Sequence, residues 1–371
     1  KDRVMCFDIQ REDELFKGWS DDSKAPSREM LPNGKASRYK TGPYGDGKGL
    51  DHFVNAAGGI DIIIGGPPCQ AYSVAGRVRD ENGMKDDYRN YLFEHYLSVV
   101  NRYQPKVFVF ENVPGLLSAM PDGTPIIQLI ESGFSSIGYE IVDDVKKYAK
   151  VDASDYGVPQ NRERLIILGI RKDLCEDVQV ILHRFYLEIL PKYKSKKKKT
   201  VAEAIGDLPK ITPIINDEEL KSRIGYSKPE CHTTWHRARH HSLRDVEIYR
   251  MLADDIQSGR NEYVDSKSLS DLYEEKVGAK SPIHRYHVLR ADEPSTTIIS
   301  HLDRDGNRFI HYDPEQGRDI TPREAARIQS FDDDFDFIGN QTDTYIMIGN
   351  AVPPLLAKCV GLAVSEVLDI L

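Results

Sequence analysis

Three short polar clusters carry residue types that can do chemistry together: Pro68-Cys69-Gln70, Glu111-Asn112-Val113-Pro114 and Gln160-Asn161-Arg162-Glu163-Arg164. A cysteine supplies a nucleophile, because a thiolate attacks well even when only a small fraction is ionised at a free pKa of about 8.5. A glutamate can share or donate a proton, and an arginine can hold charge that develops on a carbonyl oxygen. Together they suit nucleophilic addition to an electron-poor ring. A pyrimidine C5 attacks nothing until something adds at C6. Thiolate addition there pushes electrons toward N3, where an acid can meet them while an arginine holds O2. The enamine left at C5 can then attack an electrophilic methyl group.

The elements that must position these groups are legible as short apolar runs. Ile60-Asp61-Ile62-Ile63-Ile64 reads as a buried strand, ended at once by Gly65-Gly66-Pro67-Pro68. Cys69 therefore sits on a stiff loop at a strand's C-terminal edge, where open α/β sheets place their ligands. Lys106–Phe110 predicts a second strand, ending in Glu111-Asn112, and Leu165–Ile170 a third. Val4–Phe7 predicts a strand ending in Asp8, and Tyr139–Val142 another. Helical spacing covers Tyr91–Tyr103, Pro125–Ile137 and Pro353–Leu371. Strands alternating with helices predict an α/β fold with a parallel, doubly wound sheet. After about residue 172 the pattern gives way to short strands among basic and polar stretches. That predicts a second domain to about residue 320, with helical periodicity returning at Thr321.

At 371 residues the chain is long enough for two cores. Mean hydropathy is -0.50, and no apolar run is expected to span a membrane. Five cysteines, an odd number with no C-x-x-C pair, argue against both a disulfide framework and a zinc cluster, and suit a reducing cytosol. The net charge is -9, yet residues 184–244 hold 14 Lys and Arg against 7 Asp and Glu. That stretch contains the run Lys194-Ser195-Lys196-Lys197-Lys198-Lys199 and the cluster His236-Arg237-Ala238-Arg239-His240-His241. A basic face on an acidic protein still attracts phosphate. The lysine run alone is equally what a solvated loop looks like. For His236, His240 and His241 a DNA-facing or surface role is expected, not a metal.

The clusters, in this order, resemble the motifs of the cytosine-C5 DNA methyltransferases. Gly65-Gly66-Pro67-Pro68-Cys69-Gln70 is similar to the nucleophile motif, Glu111-Asn112-Val113 to the E-N-V motif, and Gln160-x-Arg162-x-Arg164 to the Q-x-R-x-R motif. Arg290-x3-Pro294-Ser295-Thr296-Thr297-Ile298 resembles the motif that organises the specificity domain. Thr321–Arg327 and Gly349-Asn350-Ala351-Val352-Pro353 resemble the segment that returns to the cofactor pocket. The resemblance implies that Cys69 attacks cytosine C6, that Glu111 contacts N3 and the amino group, that Arg164 holds O2, and that Arg162 supports the nucleophile loop. It further implies S-adenosylmethionine as methyl donor, with S-adenosylhomocysteine as product, bordered by Asp8, Pro68, Leu92, Asn350 and Ala351.

The implied architecture is a doubly wound, Rossmann-like methyltransferase sheet over residues 1–171 plus 321–371, with a smaller target-recognition domain at 172–320. Double-stranded DNA is the expected partner, with residues 74–90 closing over a flipped cytosine. A monomeric, cytoplasmic enzyme of a prokaryotic restriction–modification system is expected, with no metal and no membrane contact. One element departs from the family pattern. The Phe-x-Gly-x-Gly-Gly turn that cradles the cofactor's methionine part does not occur, and is expected upstream of Lys1. The alternatives are a tRNA cytosine-C5 methyltransferase and a non-catalytic DNA-binding relative without the cofactor turn.

Overall fold

A computed structural model describes residues 9, 11–18, 47–67, 92–120, 123–215, 223–278 and 286–371. The expected strand at Val4–Phe7 with Asp8, the loop carrying Pro68 and Cys69, and the segment 74–90 lie outside the described residues. The chain divides into two compact units, one of Lys1–Val151, Arg164–Ile189 and Ser365–Leu371, the other of Asp152–Glu163 and Leu190–Val364.

The first unit is built on a five-stranded sheet: β1 (Ile62–Gly65), β2 (Val107–Asn112), β3 (Tyr139–Ile141), β4 (Lys150–Asp152) and β5 (Glu163–Arg171). The order is β1-β2-β5-β3, with β4 paired to β5. Helix α1 (Leu92–Tyr103) precedes β2, and β1 and β2 run parallel, with Gly65 opposite Phe110. Helix α2 (Ile126–Ser136) connects β2 to β3. These elements fall where the apolar runs place them.

The sheet is α/β but not wholly parallel. β5 runs antiparallel to both β2 and β3. The link from β4 to β5, residues 153–162, opens with the short 3₁₀ turn Ala153–Tyr156 and contains no crossover helix. A parallel return needs a crossover of a dozen or more residues, usually a helix, and none is present there. Apolar periodicity marks a buried strand without giving its direction.

An aromatic cluster fastens α1 and α2 to the sheet. Phe108 stacks on Phe134 with centroids 4.0 Å apart, and Tyr96 meets Phe108, Phe110 and Phe134 edge-on. The Tyr96 hydroxyl lies 3.2 Å from the carbonyl of Ile63 and 3.0 Å from that of Val109, so one buried donor ties β1 to β2. Burial holds its pKa well above the ordinary phenol value.

In the second unit helices dominate where short strands are expected. Among the described residues its strands are Pro213–Ile214 and Gly225–Tyr226, paired with each other. Around them lie α3 (Leu243–Gln257), α4 (Ser266–Val277), α5 (Pro322–Ile328) and α6 (Gln341–Asn350). Ser242 caps α3, Asp265 caps α4, and Thr321 and Asn340 form capping boxes with Glu324 and Asp343. The core gathers Ile298, Leu302, Phe309, Ile320, Ala325, Ile328, Tyr345 and Ile348.

The final helix, α7, covers Pro354–Ile370. Contrary to the sequence expectation, Gln341–Ile370 is long and apolar enough by composition to span a membrane. The stretch is two helices, broken at Ala351-Val352-Pro353, and Tyr345, Ile348, Leu356, Ala363 and Val364 are buried inside the protein.

Candidate active site

The register of β1 against β2 brings two of the sequence clusters to one sheet edge. With Gly65 opposite Phe110, the chain leaves β1 through Gly66-Pro67 beside Glu111 and Asn112 at the end of β2. Asn112 is buried, and its side chain joins the two exits. Nδ2 donates to the Pro67 carbonyl at 3.4 Å, while Oδ1 accepts the Val113 N–H at 2.9 Å. The chain thus enters the Pro68-Cys69 loop from a fixed point.

Glu111 and Arg164 meet across β2 and β5. Glu111 is opposite Ile166, and Arg164, two residues away on the same face, is its diagonal neighbour. Arg164 Nε lies 3.0 Å from Glu111 Oε1, with side-chain exposures of 13% and 18%. The pair is sheltered yet still reachable from the edge. Its second carboxylate oxygen, Oε2, turns toward Gly66, where a Cβ would come within 2.9 Å of it. Glycine at 66 therefore leaves the space that the carboxylate occupies.

Arg162 has a different setting in the second unit. It is 2% exposed, and its guanidinium donates to three backbone carbonyls, those of Ile298 at 2.8 Å, Gly349 at 2.9 Å and Ala351 at 3.2 Å. Its described partners are thus the very segments that carry two other motifs. Asn161 and Thr297 extend the same joint: the Asn161 N–H donates to Ser295 O at 2.8 Å, and Thr297 Oγ1 donates to Asn161 O at 2.7 Å. Of the residues assigned to the cofactor by resemblance, Leu92 is buried at the start of α1, Asn350 is exposed at the end of α6, and Ala351 follows it. Cys69, Pro68 and Asp8 lie outside the described residues.

The basic stretch resolves into two parts. In the lysine run, Lys194 and Lys198 reach Asp155, Lys198 also reaches Asp152, and Lys197 pairs with Glu203. Much of that charge is spent within the protein, on the turn that leads to Gln160. The cluster from Arg237 to His241 instead lines an open cavity of about 870 Å³ with Tyr226, Tyr249 and Tyr286. Arg223, Lys228, Arg237 and Arg304 line it as well, all exposed and without an ion-pair partner among the described residues. Arg237 stacks over the Trp235 ring at 4.6 Å. Trp235 holds φ at 70°, an uncommon conformation for a bulky residue, and its indole Nε1 donates to Phe337 O at 3.1 Å.

The three histidines are engaged by the protein. His236 contacts Thr321 Oγ1 and Pro209 O, His240 contacts Ile224 O, and His241 Nε2 lies 2.9 Å from Asp319 Oδ1. Among the described residues no group of His, Cys, Asp and Glu is arranged to hold a metal.

Two features have no counterpart in the sequence reading. Gln329, fully buried, bonds to Gln160, Ile348 and Ala351. Beneath the cavity, Asp319 holds Arg239 and His241, and Glu324 holds Arg318 through two contacts of 2.6 and 2.7 Å. The only signal for Gln329 was its place at the end of the Thr321–Arg327 motif's helix.

A family model described as C-5 cytosine-specific DNA methylase matches residues 36–366. The type II methyltransferase M.Bpa9945I of Bacillus paralicheniformis is 35% identical over 327 residues, covering 84% of this chain and 71% of that protein. M.XorII of Xanthomonas oryzae pv. oryzae, also a type II methyltransferase, is 34% identical, covering 81% and 67% respectively. Among solved structures, a DNA modification methyltransferase encoded within an E. coli prophage superposes with a TM-score of 0.51 at 25% identity, over 86% of this chain and 82% of that one. On this match the chain belongs to the C-5 cytosine-specific DNA methylase family.

Proposed function

We propose that this chain transfers a methyl group from S-adenosylmethionine to C5 of a flipped cytosine in a specific duplex DNA sequence. The observation that carries the reading is the Glu111–Arg164 pair, 3.0 Å apart at the sheet edge from which Gly66-Pro67 leads to Cys69. In this reading the Cys69 thiolate bonds to C6 and the ring's electrons move toward N3 and O2. Glu111 meets N3 and the amino group, and Arg164 meets O2 while keeping the carboxylate oriented. After methylation C5 loses its proton, the C6–S bond breaks, and Cys69 leaves as thiolate with the aromatic ring restored. S-Adenosylmethionine supplies the electrophilic methyl on sulfur and departs as S-adenosylhomocysteine.

The residues present fit that donor. Asn350 is exposed and its side-chain amide makes no hydrogen bond to the described residues, while the carbonyls on either side of it are held by Arg162. A presented amide of that kind suits the carboxylate and ammonium of a methionine moiety. Leu92, Asp8, Pro68 and Ala351 are the other residues that the family resemblance assigns to the donor.

For the nucleic acid, we assign residues 172–320 to target recognition and residues 1–171 with 321–371 to catalysis. The cations lining the 870 Å³ cavity supply phosphate contacts. The enzyme acts where bacterial DNA is, in the cytoplasm, as a monomer. The experiment is methyl transfer from labelled S-adenosylmethionine to duplex DNA and to tRNA, with wild type and Cys69→Ser. Label at cytosine C5 of duplex DNA that is lost in Cys69→Ser supports the reading. Label in tRNA alone, or none with either substrate, overturns it.

A further inference from the structure

We propose that Gln329 is a positioning residue, whose side-chain amide clasps the Gly349-Asn350-Ala351 turn onto the Gln160–Arg162 segment and so sets affinity for the methyl donor. The inference rests on the reading that Asn350 and Ala351 border that donor.

Each step of the clasp has its direction forced. The Ile298 N–H can only donate, and it lies 2.8 Å from Gln160 Oε1. That turns Gln160 Nε2 toward Gln329 Oε1, at 2.5 Å. Gln329 Nε2 is then left facing carbonyls at the end of α6, Ile348 O at 3.1 Å and Ala351 O at 2.7 Å. Both glutamines are 0% exposed, so no water competes for these atoms.

The end of α6 needs such partners. The last carbonyls of a helix have none within it. Here no left-handed glycine cap follows: Ala351 is extended, at φ -68° and ψ 146°. Gln329 and Arg162 take the place of a cap, converging on Ala351 O from two sides. The turn has little room to shift otherwise, because a Cβ on Gly349 would lie 2.3 Å from the Ser300 nitrogen. Asn350, exposed between two anchored residues, is thereby presented in one orientation.

Two substitutions separate positioning from packing. Gln329→Met keeps the volume and removes every side-chain hydrogen bond. Gln329→Glu keeps the shape but sets a carboxylate against two carbonyls. Burial raises that carboxyl's pKa, and its protonated form regains one donor. In Gln329→Glu the KM for S-adenosylmethionine should rise about tenfold or more at about pH 8 and recover several-fold at about pH 6, with kcat within about threefold of wild type. In Gln329→Met it should rise at both values without recovery. Hydrogen exchange at the Ala351 amide, measured on the donor-free protein, should quicken in both variants.

A lower melting temperature with wild-type KM and wild-type Ala351 exchange in both variants overturns the proposal, leaving Gln329 a packing residue. If wild-type protein transfers no methyl group, the functional reading fails on its own. The exchange measurement then decides the clasp, and unchanged exchange overturns it.

Discussion

Gly66 leaves the carboxylate of Glu111 the space it occupies: any Cβ at position 66 would come within 2.9 Å of Oε2. The obstructed atom is the tip of a flexible side chain, so the fold can yield there by moving the carboxylate. Chemistry cannot yield as cheaply. Gly66→Ala is expected to change unfolding free energy by less than about 1 kcal/mol while lowering kcat about 100-fold, because a displacement near 1 Å costs on that order. Urea unfolding and single-turnover methyl transfer measure the two separately. Equal losses in both would mean that Gly66 serves packing alone.

Arg164 sets the other oxygen of the same carboxylate, through Nε at 3.0 Å. Arg164→Lys keeps the charge but not the planar fork, so it is expected to restore only part of the roughly 100-fold or larger rate loss of Arg164→Ala. Single-turnover rates at saturating DNA provide the check. A lysine variant as fast as wild type would leave only a charge requirement at this position.

Four exposed cations, Arg223, Lys228, Arg237 and Arg304, line the cavity of the second unit. If each neutralises one phosphate, the logarithm of the DNA association constant should fall with log salt at a slope of about -3.6, and Arg237→Ala should reduce that slope by about 0.9. Filter binding across a salt series reads this directly. An unchanged slope in Arg237→Ala places DNA elsewhere.

Acid should destabilise the protein in two stages. Burial, together with the charge of Arg318 and against the pull of Glu324, holds His311 down at about 4. The unfolded chain, with a histidine pKa near ~6.5, therefore binds that proton first, and stability falls as pH drops from there toward 4. Burial alone would raise Glu324 and Asp319, but the guanidiniums of Arg318 and Arg239 hold each down at about 2. Their contribution is complete above the unfolded carboxylate values of about 4 and is lost as pH falls toward 2. Urea midpoints against pH should decline through both windows, and His311→Gln should flatten the upper one only.

The candidate site was legible as far as local signals reach. The runs 60–64, 106–110 and 165–170 announced strands, and their ends carried Gly66, Glu111 and Arg164 to one edge. The antiparallel sense of β5 was not legible, since it depends on the short connection from β4. Nor was the clasp of Gln329. A glutamine ending a helix is ordinary, and its partners Gln160 and Ala351 lie 169 residues before it and 22 after it. The helices α3 and α4 were hidden for another reason: their charged residues blur the apolar stripe, and their caps, Ser242 and Asp265, resemble loop residues.

The central claim is a covalent bond from Cys69 to cytosine C6. Duplex DNA carrying 5-fluorocytosine at the methylated position tests it, because fluorine at C5 cannot be lost as the proton is and the adduct persists. With S-adenosylmethionine present, wild-type protein should give a species on a denaturing gel with the mass of protein plus DNA, and Cys69→Ser should give none. Turnover of normal DNA without any such species, or an equal adduct in Cys69→Ser, would contradict the account.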